Sequence, residues 1–216
     1  MIIAIDGPAG AGKSTIAKRL GKKLELFFLD TGAMYRLVSS ECLRLNVDVH
    51  DSGAVQRIAE GIELSFDGQG LISIAGRACE DEIRSAKVDG VVSIVAAIPE
   101  VRAAMVPKQR LVAKRHDGCV AEGRDTTTVV FPQANFRFYL DASPAERARR
   151  RVAQRGTPEL LDQIRESMET RDRIDSTRAD SPLRHARGVQ RIDTDDMSVD
   201  EVVQRLLDVV QEGCQR

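Results

Sequence analysis

The stretch Gly7-Pro8-Ala9-Gly10-Ala11-Gly12-Lys13-Ser14 fits the pattern G-x-x-x-x-G-K-[ST]. It lies between the apolar run Ile2-Ile3-Ala4-Ile5 and a segment with apolar residues at Ile16, Leu20 and Leu24. An apolar run, a glycine-rich turn and then helical spacing read as strand, phosphate-binding loop and helix, the context that gives the pattern its meaning. Glycines let successive backbone N–H groups converge on phosphate oxygens, and the helix N-terminus adds partial positive charge. Lys13 is therefore expected to bridge the β- and γ-phosphates of ATP, Ser14 to complete the coordination of Mg2+, and Thr15 to lie near the α-phosphate. A turn needed only for backbone geometry would give no reason for Lys13 and Ser14 to follow Gly12.

Beyond the loop, Leu26 to Leu29 form a second apolar run ending at Asp30-Thr31-Gly32, and Met34, Leu37, Val38 and Leu45 mark another helix. That completes one βαβ unit. From about Gly61 the period changes: Ile62, Leu64 and Phe66 alternate with polar residues, Asp67-Gly68-Gln69-Gly70 turns the chain, and Leu71-Ile72-Ser73-Ile74 follows. An antiparallel hairpin does not belong in a parallel array, so an inserted β subdomain is expected near residues 60–85. Helical spacing resumes by Val88, and a further helix starts at Pro99 and runs through Val101, Met105 and Leu111 to Asp117-Gly118. Cys119-Val120-Ala121, Phe136 to Leu140 and Gln190 to Asp193 read as further strands, and Ser198 can cap a last amphipathic helix through Val202, Leu206 and Val209.

Composition narrows the field. The chain has 216 residues, 42% hydrophobic and 30% charged, with only 4% aromatic and no Trp. That balance suits a folded unit whose core is built from Ala, Val, Ile and Leu, as in buried parallel strands covered by helices. Lys plus Arg (32) against Asp plus Glu (33) gives a net charge of −1 and no global attraction to nucleic acid or an anionic membrane. Positive charge is local instead: residues 147–191 hold twelve Arg against seven acids. No run reaches the roughly 18 apolar residues of a membrane span and no signal-peptide layout precedes Ile2, so a cytoplasmic protein is expected. Cys42, Cys79, Cys119 and Cys214 form no CxxC and have no paired His to complete a zinc site, so reduced structural thiols are expected.

Three polar clusters stand at ends of expected strands or helices: Asp30-Thr31-Gly32-Ala33-Met34-Tyr35-Arg36, Glu122-Gly123-Arg124-Asp125, and Arg171 to Arg178 with Asp175 between. In an open α/β sheet the carboxyl ends of the strands converge on the ligand crevice. The base-reading N-K-x-D of GTPases is absent. With the phosphate loop, the D-[ST]-G-x-x-Y-R stretch at Asp30–Arg36, the G-R-D-x-x-T-V-V-F-P stretch at Gly123–Pro132 and the R-D-x-x-D-x-x-R stretch at Arg171–Arg178 resemble those of bacterial cytidylate kinases, in order and over essentially the whole chain. The resemblance implies an α/β P-loop NTPase-type three-layer fold with a five-stranded parallel sheet. Residues 1–35 and 116–216 would form the core, 36–115 the nucleotide-monophosphate region with its β insert, and an arginine-rich lid would lie near 151–170.

The resemblance also implies transfer of the ATP γ-phosphate to CMP or dCMP, and a set of site residues. Cytosine would lie against Ser93, Arg102 and Asp125. The exocyclic amine is a donor for the Asp125 carboxylate, whereas N3 and O2 accept from Arg and Ser. Uracil would set an acceptor against Asp125 and be rejected. The CMP phosphate would be held by Arg36, Arg124 and Arg178, whose planar guanidinium groups match phosphate oxygens, and the ribose by Arg171 and Asp175. Thr31 would touch the acceptor, and Asp30 and Glu122 the metal-bound waters. In the lid, Arg147, Arg150 or Arg151, and Arg155 would share a face toward ATP, with Arg150 stacking on adenine and Arg155 neutralising the transferred group. Glu122 stands where the family commonly has Asp, and Thr126-Thr127-Thr128 lacks the glycine often found after the Arg-Asp pair.

Two other readings remain open on the sequence. One is a P-loop kinase with another small acceptor, such as UMP, AMP or a hydroxy acid. The other is an ATP-binding switch module without turnover, which leaves the Arg124-Asp125 and Arg171–Arg178 clusters unexplained. A monomer acting on ATP and CMP or dCMP, with no nucleic-acid or membrane partner, is the expectation.

Overall fold

The central strand β1, Ile2–Asp6, lies between β6, Cys119–Gly123, and β7, Phe136–Asp141, and all three are parallel. With β2, Phe27–Asp30, outside β6 and β8, Gln190–Asp193, outside β7, the sheet has the order β2-β6-β1-β7-β8. This is a computed structural model that describes residues 1–215, apart from the side chains of Arg155 and Pro158. The central strands β1 and β6 are short and buried on both faces, as a sheet covered on both sides requires, whereas the edge strand β8 is largely exposed. On one face Ile3, Ile5, Val120, Phe138 and Leu140 pack on Leu20 of α1, Lys13–Leu24, and on Leu206 of α9, Val199–Cys214. On the other, Ala4, Leu29, Cys119 and Ala121 meet Ala113 of α6, Pro99–Arg115, with Val130 and Phe131. The three-layer α/β architecture expected from the sequence is therefore present.

A second core lies beyond the sheet. Met34, Leu37 and Val38 of α2, Thr31–Arg44, pack with Val55 of α3, Ser52–Gly61, Val92 and Val95 of α5, Ala86–Ala97, and Met105 of α6. Against this bundle sits the separate antiparallel sheet of β3, Leu64–Phe66, β4, Ile72–Ile74, and β5, Arg77–Ala78, followed by the single turn α4, Glu80–Ile83. Ile72 reaches into the bundle core, which ties the insert down. The expected division at 35/36 falls inside α2, so that helix belongs to both the sheet and the bundle. Leu111, taken as a core marker of its helix, is exposed.

After β7 come α7, Pro144–Arg155, a 3-10 turn at Pro158–Leu160, and α8, Leu161–Thr177. Ser143 caps α7 by accepting from the Glu146 amide, and Ser198 caps α9 in a reciprocal box with Glu201.

Candidate active site

Parallel register decides which side chains meet. Asp30 pairs with Glu122 and Asp6 with Gly123, so the polar ends of β2, β6 and β1 finish side by side. From β1 the chain enters the glycine-rich loop and then α1, whose N-cap Gly12 has φ 85°, a left-handed conformation that favours glycine. Here Lys13 is buried, and its Nζ donates to the Pro8 carbonyl at 2.8 Å. Burial, and Arg124 next, lower its pKa to about 7. Ser14 donates to Glu122 Oε1 at 2.6 Å. Glu122 is itself pushed above the usual carboxylate range by burial and by neighbouring Asp30.

One cavity of about 390 Å3 opens over these strand ends. Ala9, Gly10, Lys13 and Ser14 of the loop line it, together with Asp30, Thr31, Arg36, Ser93, Arg102, Glu122, Arg124, Asp125, Arg171, Asp175 and Arg178. Lining groups from distant segments of the chain are thus brought together. Among the described residues its wall carries eight Lys and Arg side chains against five carboxylates, an excess of positive charge suited to a polyanion.

The acidic and basic groups interleave. The Arg102 guanidinium is ion-paired with Asp125 and lies 5.3 Å from the Tyr35 ring centre, and Arg178 Nη2 is 3.5 Å from the other Asp125 oxygen. Despite both arginines, burial raises the Asp125 pKa above its ordinary value. Arg124 Nε donates to Asp175 at 2.9 Å, with Arg171 Nε 3.8 Å from the same oxygen. Burial works against the charged Asp175, but Arg124, Arg171 and Arg178 hold it below the usual range. Burial, then Arg124, lowers Arg171 to about 10. Ser93 Oγ and Arg102 Nε are buried in the lining of the same cavity and have no hydrogen-bond partner among the described residues, an arrangement that invites a polar ligand.

Several residues that hold the site together left no signal in the sequence reading. Asp6, fully buried, accepts from the amide and hydroxyl of both Thr126 and Thr127 at 2.6–2.8 Å. The missing glycine in Thr126-Thr127-Thr128 is thus matched by hydroxyls that bind β1, and the close approach falls at Gly123, where a Cβ would lie 2.4 Å from Thr31 Oγ1. Thr31 donates to the Glu122 carbonyl at 2.6 Å. Arg84 donates to Asp30 Oδ2 at 2.7 Å while Asp30 Oδ1 caps α2. Asp172, next to Arg171 in the sequence, accepts from the Ala9 amide at 3.0 Å.

The arginines of α7 divide. Arg147 does not face the cavity: it is buried, donating to the Ala142 and Ala9 carbonyls at 3.0 Å each and pairing with Asp172. Arg150 donates to Thr194 Oγ1 at 2.9 Å and to Glu146 at 2.7 Å, outside the cavity wall but beside Gly12. Arg151 lines the cavity. The Arg155 side chain, expected at the transferred group, lies outside the described residues. Thr15 is exposed on the first turn of α1 and does not line the cavity. No group of three metal-ligating His, Cys, Asp or Glu exists among the described residues, and no single helix there is long and apolar enough to cross a membrane.

A phosphate loop after the first strand of a five-stranded parallel sheet, opening onto an arginine-lined cavity, defines a P-loop phosphotransferase. Comparison with known proteins narrows the class. The family model for cytidylate kinase matches residues 3–212. The cytidylate kinase of Caldanaerobacter subterraneus is 42% identical over 214 residues, covering 98% of this chain and 95% of that protein. The bifunctional pantoate ligase/cytidylate kinase of Prochlorococcus marinus (strain MIT 9303) is 45% identical over 216 residues, covering 96% of this chain and 44% of that longer one. A crystal structure of an uncharacterised Eubacterium ventriosum protein shares the fold, with TM-score 0.52, 12% identity and 98% of each chain covered. The chain belongs to the cytidylate kinase family, and so to the nucleoside monophosphate kinases, whose membership supports phosphorylation of CMP by ATP.

Proposed function

We propose that the protein transfers the γ-phosphate of Mg2+-bound ATP to CMP and dCMP, giving CDP and dCDP, in a closed, arginine-rich site. The observation that carries the choice of base is the buried cluster of Ser93, Arg102 and Asp125, with its unpartnered Ser93 Oγ and Arg102 Nε. Asp125 accepts from the cytosine amine, while Arg102 and Ser93 donate to N3 and O2. Arg36, Arg124 and Arg178 hold the acceptor phosphate, and Asp175, fixed by Arg124, accepts from a ribose hydroxyl with Arg171 beside it.

The oxygen-only pair of Ser14 and Glu122, 2.6 Å apart beside the loop, suits a hard cation that keeps most of its waters. Ser14 would ligate it, with Glu122 and Asp30 holding its waters, and the ion would supply charge neutralisation on the polyphosphate. In the reaction an acceptor phosphate oxygen bonds to the γ-phosphorus as the bond to the β–γ bridging oxygen breaks, leaving ADP. Lys13 exchanges the Pro8 carbonyl for phosphate oxygens, and Arg124 and Arg178 offset repulsion between the two anions. The acceptor is already anionic and needs little activation, so positioning and electrostatics supply the catalysis.

Residues 36–115 act as the acceptor-binding region and the segment near 151–170 as the lid, where Arg150 and Arg155 would face the ATP side. A cytoplasmic monomer is part of this reading, and the near-balanced charge fits the lack of a nucleic-acid or membrane partner. The test is coupled ADP release with ATP and Mg2+ against CMP, dCMP, UMP and AMP. Strong release with CMP and dCMP alone supports the reading, and equal release without any acceptor overturns it.

A further inference from the structure

Asp89 takes no part in the mechanism above. It stands in the first turn of α5, where an acid is ordinary because it complements the helix dipole. Yet its carboxylate lines the cavity and meets arginines from three other helices. Arg36 Nη2 of α2 lies at 2.6 Å, Arg151 Nη2 of α7 at 3.2 Å and Arg171 Nη1 of α8 at 3.9 Å. Arg36 is aimed there by a second hydrogen bond, from Nη1 to the Ile83 carbonyl at 3.0 Å. Burial works to raise the Asp89 carboxyl, but Arg36 first, then Arg151 and Arg171, bring it below its ordinary range, so it is ionised at neutral pH.

Charge and geometry make this an imperfect match. One carboxylate offers a single negative charge and two oxygens to at least three guanidinium groups, counting the described residues. A phosphate monoester offers nearly two charges and three strong acceptor oxygens, and planar guanidinium forks bind it in pairs. Arg36, the one of these arginines that the proposed function sets at the acceptor phosphate, is better satisfied by a phosphate than by Asp89. The Asp89–Arg151 pair also joins α5 to α7 across the cavity, residues 62 apart in sequence.

We propose that Asp89 is an internal surrogate for the acceptor's phosphate: it keeps Arg36, Arg151 and Arg171 converged, and an incoming phosphate monoester displaces it from Arg36. This rests on the reading that Arg36 faces the acceptor phosphate. Asp89 thereby acts as a positioning and discriminating residue. It limits repulsion among the arginines before the acceptor arrives, and it sets a threshold that only a doubly charged oxyanion passes. Neutral nucleosides and singly charged ligands do not displace it.

The test uses inorganic phosphate as the probe with wild type, Asp89→Asn and Asp89→Glu, in low-salt, phosphate-free buffer. Asp89→Asn should melt at a lower temperature, and phosphate should restore more of its stability than it adds to wild type. Its inhibition constant for phosphate against CMP should fall about fivefold, or about 1 kcal/mol, while Asp89→Glu stays near wild type on both measures. A merely structural pair would lower the melting temperature without changing the phosphate response, and that result overturns the proposal. Weaker phosphate inhibition in Asp89→Asn also overturns it. Asp89→Ser repeats the measurement should the Asn variant not fold. If wild type fails to phosphorylate CMP in the same buffer, the proposed function falls, while phosphate-induced melting shifts still decide the role of Asp89.

Discussion

Asp6 and Thr127 are 121 residues apart in the sequence, yet the Thr127 amide and hydroxyl both donate to Asp6 Oδ2, at 2.8 and 2.6 Å. Thr126 makes the same pair of bonds to Oδ1. The strand that carries the glycine-rich loop thus grips the turn that follows Arg124-Asp125, which ties these two sides of the cavity together. Replacing Asp6 by Ala strands four buried donors and should cost about 3 kcal/mol or more. At roughly 2–4 °C per kcal/mol for a chain of this size, melting should fall by roughly 6–12 °C. A shift under about 2 °C by differential scanning fluorimetry would show that the four bonds do not act as described.

Lys13→Ala should lower turnover by several orders of magnitude, because the buried Lys13 amine, made an ammonium by bound ATP, is in the proposed mechanism the point charge that the loop offers to the β- and γ-phosphates. Near-normal kcat in the coupled ADP assay would remove Lys13 from the chemistry.

Asp125→Ala should narrow the preference for CMP over UMP, since the acceptor that rewards the cytosine amine and repels the uracil carbonyl is gone. The ratio of kcat/KM for the two acceptors measures this directly. An unchanged ratio would take Asp125 out of base recognition, leaving its pairing with Arg102 and Arg178 as its purpose.

The depressed pKa of Lys13, about 7, has a sign that calorimetry can read. Above pH 7 the free protein holds Lys13 largely neutral, and the negative charge of bound ATP favours the ammonium. ATP binding at pH 8 should therefore take up about one proton, seen as a binding enthalpy that varies with the ionisation heat of the buffer, and the uptake should vanish in Lys13→Met. The same shift adds a stability term that rises with pH between about 7 and 10.5, because the unfolded chain binds the proton more tightly there. No buffer dependence in wild type would contradict the burial-driven shift.

The strands, the loop and most helices were legible because each is written in local periodicity: Ile2 to Ile5 and Phe136 to Leu140 are apolar runs, and Ser198 announces its helix by a cap. The helix α3 at Ser52–Gly61 was not read, and neither was the turn at Thr126–Val130, whose run of five β-branched residues favours an extended chain. Side chains that make long-range contacts were harder still. Asp89 looks like any acid at a helix start, and its partners Arg36 and Arg151 are 53 and 62 residues away. Arg147 shows the limit from the other side. Helical spacing put it on a face with Arg150 or Arg151, but burial against Ala9 and Asp172 gives it a structural post.

That post has a consequence for movement. The two polar atoms of Ala9 are held by the segment that follows β7: its amide by Asp172 of α8 and its carbonyl by Arg147 of α7. Outward movement of either helix would release one of the two backbone groups of Ala9. Ala9 therefore works as a gauge built into the backbone. Its amide stays shielded from solvent exchange while the two helices are seated, and each excursion of α8 starts the clock on its exchange with deuterium. Lifting of that segment, which the proposed lid requires, would thus be read at a single residue of the glycine-rich loop.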